Sequence, residues 1–91
     1  MFIRDLLWDE KNTLHIAEHG VETDEVEDIA FGDHYARKER AQNRYVLYGQ
    51  TAEGRYLFVV VDHEGHNIYY VVTARDMDHD ERQSYRRIKH K

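Results

Sequence analysis

The run Tyr56-Leu57-Phe58-Val59-Val60-Val61 limits most strongly what this chain can fold into. Consecutive β-branched and aromatic residues of this kind belong in the centre of a sheet. A second run, Tyr45-Val46-Leu47-Tyr48, precedes it, and a third, Ile68-Tyr69-Tyr70-Val71-Val72-Thr73, follows it. Gly-containing segments separate the three, at residues 52–55 and 62–67, and read as turns, so the runs form an antiparallel meander. Residues 35–40 are a weaker strand candidate and residues 2–8 a short first strand.

Between the first strand and the meander the apolar period is helical. Asp9 is a good N-cap for a helix over residues 10–19, with Glu10 at the positive end of its dipole. Gly20 stands where a left-handed residue ends such a helix. Thr23 or Asp24 can cap a second helix to about Phe31, whose Val26, Ile29 and Ala30 make a stripe at i, i+3, i+4. Asp78 with Glu81 three residues later forms a capping-box pattern that starts a last helix running to the end of the chain. Its large apolar residues are Tyr85 and Ile88, so it docks along a narrow stripe. The order β-α-α-β-β-β-β-α gives an α+β protein, a meander of about four strands with two N-terminal helices and one C-terminal helix. The helices are expected on one face of the sheet.

Ninety-one residues allow one core and one domain, spanning 1–91. No cysteine is present, which excludes disulfides and thiolate zinc sites. No stretch approaches membrane-spanning length and the first residues carry no apolar leader segment, so a cytoplasmic bacterial protein with no membrane contact is expected. The net charge of −5 is unevenly spread. Residues 1–33 hold ten acidic and two basic residues, net −8, and residues 34–91 hold eight acidic and eleven basic, net +3. Overall acidity disfavours nucleic acid binding, but a basic face in the second part can still attract phosphate.

Three groupings could carry chemistry. His15-Ile16-Ala17-Glu18-His19 fits the H-x-x-E-H zinc pattern, but seven histidines make the match unremarkable, and chance spacing on a solvated helix is the reading preferred. His63-Glu64-Gly65-His66 reads as a polar hairpin tip. The arginines on or beside the sheet, Arg37, Arg40, Arg44, Arg55 and Arg75, are better placed. A guanidinium at a strand end is held in fixed geometry suited to bidentate grasp of a phosphate and to the charge of phosphoryl transfer. Tyr48, Tyr56, Tyr69 and Tyr70 offer faces for base stacking. Metal-free RNA cleavage needs a base, cations beside the phosphorane and an acid for the leaving oxygen. Lys11, His19, Arg44, Arg75 and Tyr85 supply those residue types.

Trp8-Asp9-Glu10-Lys11-Asn12, Glu18-His19-Gly20-Val21, Arg44-Tyr45, Gly49-Gln50 through Gly54-Arg55-Tyr56-Leu57, Val59-Val60-Val61, Val72-Thr73-Ala74-Arg75 and Glu81-Arg82 with Tyr85 are similar, in order and spacing, to the motifs of one family. In these segments the chain resembles the BrnT family of bacterial ribonuclease toxins. The resemblance implies a RelE-like toxin fold and messenger-RNA cleavage without a metal or other cofactor. It also implies neutralisation in a heteromeric complex by a ribbon-helix-helix antitoxin, with operator DNA reached only through that antitoxin. On this reading Lys11, His19, Arg44 and Arg75 are catalytic, and Arg40, Arg55 and Tyr85 contact RNA. Two positions depart from the pattern: Glu18 replaces a lysine and Asn43 a glutamate. They leave a catalytically weak or inactive interaction module of the same fold as the alternative.

Overall fold

A computed structural model describes residues 1–41 and 43–90. The elements follow the expected order: β1 (Asp5–Leu7), α1 (Glu10–Glu18), α2 (Thr23–Phe31), β2 (His34–Lys38), β3 (Arg44–Gln50), β4 (Tyr56–Gly65), β5 (Ile68–Asp76) and α3 (His79–Lys89). The end of the last expected helix, Lys91, lies outside the described residues.

The five strands lie in the order β1-β5-β4-β3-β2, with β2 to β5 an antiparallel meander. The run over residues 56–61 lies in β4, the central strand, as its composition requires. The short β1 adds a fifth strand, parallel to β5 at the edge.

Both faces of the sheet are apolar, and each has its own cover. On one face Leu47, Leu57, Val59, Val61 and Val71 pack with Ile16 of α1 and with Val26, Ile29 and Ala30 of α2. On the other, Val46, Tyr48 and Val60 pack with Met77 and with Tyr85 of α3. The expectation that all helices share one face is therefore corrected: α3 lies opposite α1 and α2. The physical reason is in β3 and β4, whose successive residues Val46-Leu47-Tyr48 and Val59-Val60-Val61 are all buried. A strand that is apolar on both sides needs a layer on both sides.

Local chemistry explains the ends. Asp9 caps α1: its Oδ1 accepts the Asn12 N–H at 2.8 Å, while Asn12 Oδ1 accepts the Asp9 N–H at 2.9 Å. The N-cap of α2 is Glu22, one residue before the expected caps, and its N–H donates to Glu25 at 3.0 Å. Asp78 and Glu81 cap α3 reciprocally. The expected turn over residues 62–67 is shorter than its polarity implies. β4 continues through it, and only His66 and Asn67 separate the strands, both at positive φ (54° and 62°). Two such residues make the tight turn whose twist suits a hairpin.

Helix α2 approaches β3 so closely at Gly49 that a Cβ there would lie 3.0 Å from two carbons of Ile29. That contact fixes α2 over β3 and β4 and leaves α1 over β5.

Candidate functional site

The pairing register of the meander determines which arginines face which side. Phe58 stands opposite Tyr48 and Arg75, and Asp62 stands opposite Arg44 and Tyr70. Arg44 and Arg75 therefore share the sheet face that also carries α3. They lie two strands apart and four residues apart along β4, roughly 10 Å across and 13 Å along the sheet. The structure does not bring them to one point.

Their donors are committed differently. A guanidinium has five N–H groups, which present two forks, one along the Nη1/Nη2 end and one along the Nε/Nη2 side. Arg75 gives its end fork to Glu81, with Nη1 to Oε1 at 2.8 Å and Nη2 to Oε2 at 3.0 Å. Its second Nη1 proton goes to the Asp76 carbonyl at 2.9 Å. The guanidinium rests 3.8 Å from the Phe58 ring centroid. Its side fork keeps no partner among the described residues, so Arg75 is oriented on three sides and open on the fourth. Glu81 is itself fixed, because Oε1 also accepts the Asp78 N–H at 2.9 Å. Hydrogen bonding to Arg75 is the main cause that lowers the Glu81 pKa and raises that of Arg75.

Arg44 uses the other fork. Nε and Nη2 donate to the two oxygens of Asp62 at 2.8 and 3.0 Å, which raises the arginine pKa and lowers that of Asp62. Arg44 and Arg40 line one cleft with Asn43, Asp62, His63 and Glu64. Arg55 is different again. Nε and Nη2 hold Asp76 at 2.7 and 3.1 Å, and Nη1 holds the Gly20 carbonyl at 2.8 Å and Glu25 at 3.0 Å. With both forks engaged, Arg55 ties the loop after α1 and helix α2 to the end of β5.

Lys11 lies on α1 and lines a groove with His15, Glu18, Tyr70 and Val72, beside the strand that carries Arg75. His19 is the exposed C-cap residue of α1, with its ring 5.4 Å from that of His15. Among the described residues no group of three or more histidine or acidic side chains is placed to hold a metal. Tyr85 is 5% exposed and packs edge-on against Tyr56, so its ring is buried in the α3 interface.

Sequence reasoning missed several residues of this face. Glu81 entered it as a cap and not as the partner of Arg75. Asp62 was assigned to a turn, and Arg86 was passed over. The i, i+4 spacing of Arg82 and Arg86 was available as a signal. The Arg44–Asp62 pairing depends on strand register, which no local pattern prints.

The family model for the BrnT ribonuclease toxin of type II toxin–antitoxin systems matches residues 8–81. The chain belongs to that family. An antitoxin partner accompanies membership. The crystal structure of the Brucella abortus ribonuclease toxin BrnT, at 1.1 Å resolution, superposes with a TM-score of 0.65 at 21% identity, covering 81% of this chain and 96% of that one. At that identity the match shows the shared α+β fold. No curated relative matches the chain. Among the described residues, no helix is long and apolar enough to cross a membrane.

The ion pairs on this face carry a pH dependence. Asp62 and Glu81 are lowered from ordinary values of 3.8 and 4.5 by their arginines. A depressed carboxylate contributes stability that is complete above its unfolded pKa and is lost as pH falls through its folded one. Urea midpoints are therefore expected to hold steady from neutral pH down to the ordinary carboxylate range and to fall below it. Glu81→Gln is expected to make the fall shallower, and an identical acid limb in that variant would remove Glu81 from the account.

Proposed function

We propose that this chain is an endoribonuclease of its toxin family, cleaving messenger RNA by in-line attack of a 2′-hydroxyl without a metal. The observation that carries the reading is the open side fork of Arg75. It is a guanidinium held rigid by Glu81, the Asp76 carbonyl and Phe58, with two parallel donors presented to a phosphate. Such donors stabilise developing phosphorane charge with little reorganisation. Arg44 keeps its Nη1 end available while paired to Asp62, and with Arg40 it suits a neighbouring phosphate. Lys11 flanks the strand of Arg75 across the Tyr70–Val72 groove, so RNA lying along β5 meets both. His19 is the proposed proton-transfer partner on α1. Arg55 and Tyr85 support the surface from beneath, through the contacts described above. The antitoxin is proposed to be of the ribbon-helix-helix type, to cover the toxin in a heteromeric complex in the cytoplasm, and to bring operator DNA to it indirectly.

A second reading, an interaction module without catalysis, is favoured by one observation. Arg44 and Arg75, the two arginines of the sheet face best placed to grasp phosphate, each already hold a carboxylate, and Glu18 lies in the same groove as Lys11. The purified chain incubated with defined messenger RNA in excess chelator separates the two. Cleavage under those conditions is expected. Intact RNA at high protein concentration, together with tight antitoxin binding, would leave the module reading standing.

A further inference from the structure

We propose that the outer flank of α3, with the start of β4, is a docking strip for the backbone of single-stranded RNA. Arg82 and Arg86 take phosphates adjacent to the one held at Arg75. The inference rests on the RNA reading above for the identity of its ligand.

Arg82 and Arg86 are one helical turn apart, and both lie over the Tyr56 ring, their guanidinium carbons 5.9 and 5.5 Å from its centroid. Arg86 Nε also donates to the Tyr56 hydroxyl at 3.3 Å. Tyr56 is braced in turn by Tyr85, edge-on at 6.1 Å. Two residues along the same face of β4 stands Phe58, which carries Arg75. Side chains at i and i+2 of a strand lie roughly 7 Å apart. The result is three guanidiniums over two neighbouring rings, Arg82 and Arg86 over Tyr56 and Arg75, with its open fork, over Phe58. The spacing of those two strand positions is of the order of the phosphate repeat in an extended strand.

The charge of the strip is not cancelled from within. Arg44, Arg55 and Arg75 each hold a carboxylate, whereas among the described residues no carboxylate comes within ion-pair distance of Arg82 or Arg86. The nearby acids are already engaged: Glu81 with Arg75, Asp78 as the N-cap of α3, whose Oδ1 accepts the Glu81 N–H, and Asp76 and Glu25 with Arg55. Asp80 lies on the other flank of α3, lining a groove with Tyr35 and Arg37. Cations held over rings and left unpaired are the arrangement by which proteins track a single-stranded backbone. An acidic protein segment could also seek such charge. Continuity with the Arg75 fork and the strand-imposed spacing favour RNA.

The test measures affinity of the full chain for a short mixed-sequence single strand carrying 2′-O-methyl groups, which block in-line cleavage, over a range of salt. Arg82→Gln/Arg86→Gln is expected to weaken binding about tenfold or more at low salt. It should also reduce the slope of log K against log salt by about 1.4, the value for two phosphate contacts on a single strand. Arg82→Lys/Arg86→Lys retains charge and is expected to recover most of the slope, which separates lost phosphate contacts from a damaged helix. Wild-type affinity and slope in the glutamine variant overturn the strip while leaving the ribonuclease reading intact. So does loss of antitoxin binding with RNA binding unchanged. A wild-type chain that fails to bind the strand overturns both.

Discussion

Arg75→Ala is expected to slow RNA cleavage about 10²- to 10³-fold, the range seen when one preorganised donor is removed from developing charge. The argument comes from donor geometry. Of the three arginines with bidentate carboxylate partners, Arg75 alone combines a free Nε/Nη2 fork with restraint on its remaining sides. Arg44 has its side fork occupied and Arg55 has both occupied. Arg75→Lys keeps a charge but loses the fork, and is expected to restore only a small part of the rate. Stability should fall by no more than about 1 kcal/mol, since the side chain is 38% exposed and its ion pair lies at the surface. The measurement is single-turnover cleavage of a defined RNA beside a denaturation curve for each variant. A folded Arg75→Ala protein that cleaves at the wild-type rate would remove Arg75 from the chemistry. Cell-growth arrest on induced expression, lost in the same variant, provides an independent readout.

Most of the fold was legible because period and punctuation are local properties. The i, i+3, i+4 stripe of Val26, Ile29 and Ala30, the Asp78–Glu81 cap and the unbroken β4 run each encode their element within a few residues. The position of α3 was not legible from α3, whose single stripe of Tyr85 and Ile88 names no partner face. It was implicit in Val46-Leu47-Tyr48, where neighbouring apolar residues point to opposite sides and both need cover. The length of β4 was hidden because Asp62, His63 and Glu64 have the polarity of a turn. Asp62 belongs to a strand because Arg44 lies opposite it, and such a contact is set by register.

The candidate site divides along the same line. Residue types could be read, and several of the named arginines do occupy one face. Partners could not be read, because each is distant in sequence or serves twice. Glu81 shows this best: its capping role is local, and its grip on Arg75 depends on how α3 lies across β4. Arg55 and Arg75 look equivalent in sequence as strand-end arginines, and their free donors separate them.

Asn12→Ala is expected to cost about 3 kcal/mol, the largest loss of stability from any single polar side chain of this fold. Asn12 is 2% exposed and joins three elements. Its Nδ2 donates to the Leu7 carbonyl of β1 and the Val71 carbonyl of β5, both at 3.0 Å, while Oδ1 accepts the Asp9 N–H at 2.9 Å. Truncation leaves a donor and two acceptors without that partner, and buried orphans of this kind cost roughly 1–3 kcal/mol each before relaxation. For a domain of this size the midpoint temperature should fall by roughly 12–24 °C. Asn12→Asp tests the cause. The carboxylate is nearly isosteric and can still accept from Asp9, but it cannot donate to Leu7 or Val71, so a loss at least as large as for alanine is expected. A loss below about 1 kcal/mol in both variants would show that the carbonyls are satisfied without the amide. Asn12 also adjoins Lys11 in the segment by which the chain resembles its family. A scan for lost toxicity would therefore score Asn12 beside Arg75. The denaturation curve separates them: Arg75→Ala should leave a folded protein that cleaves far more slowly, and Asn12→Ala a protein whose remaining folded fraction cleaves at the ordinary rate.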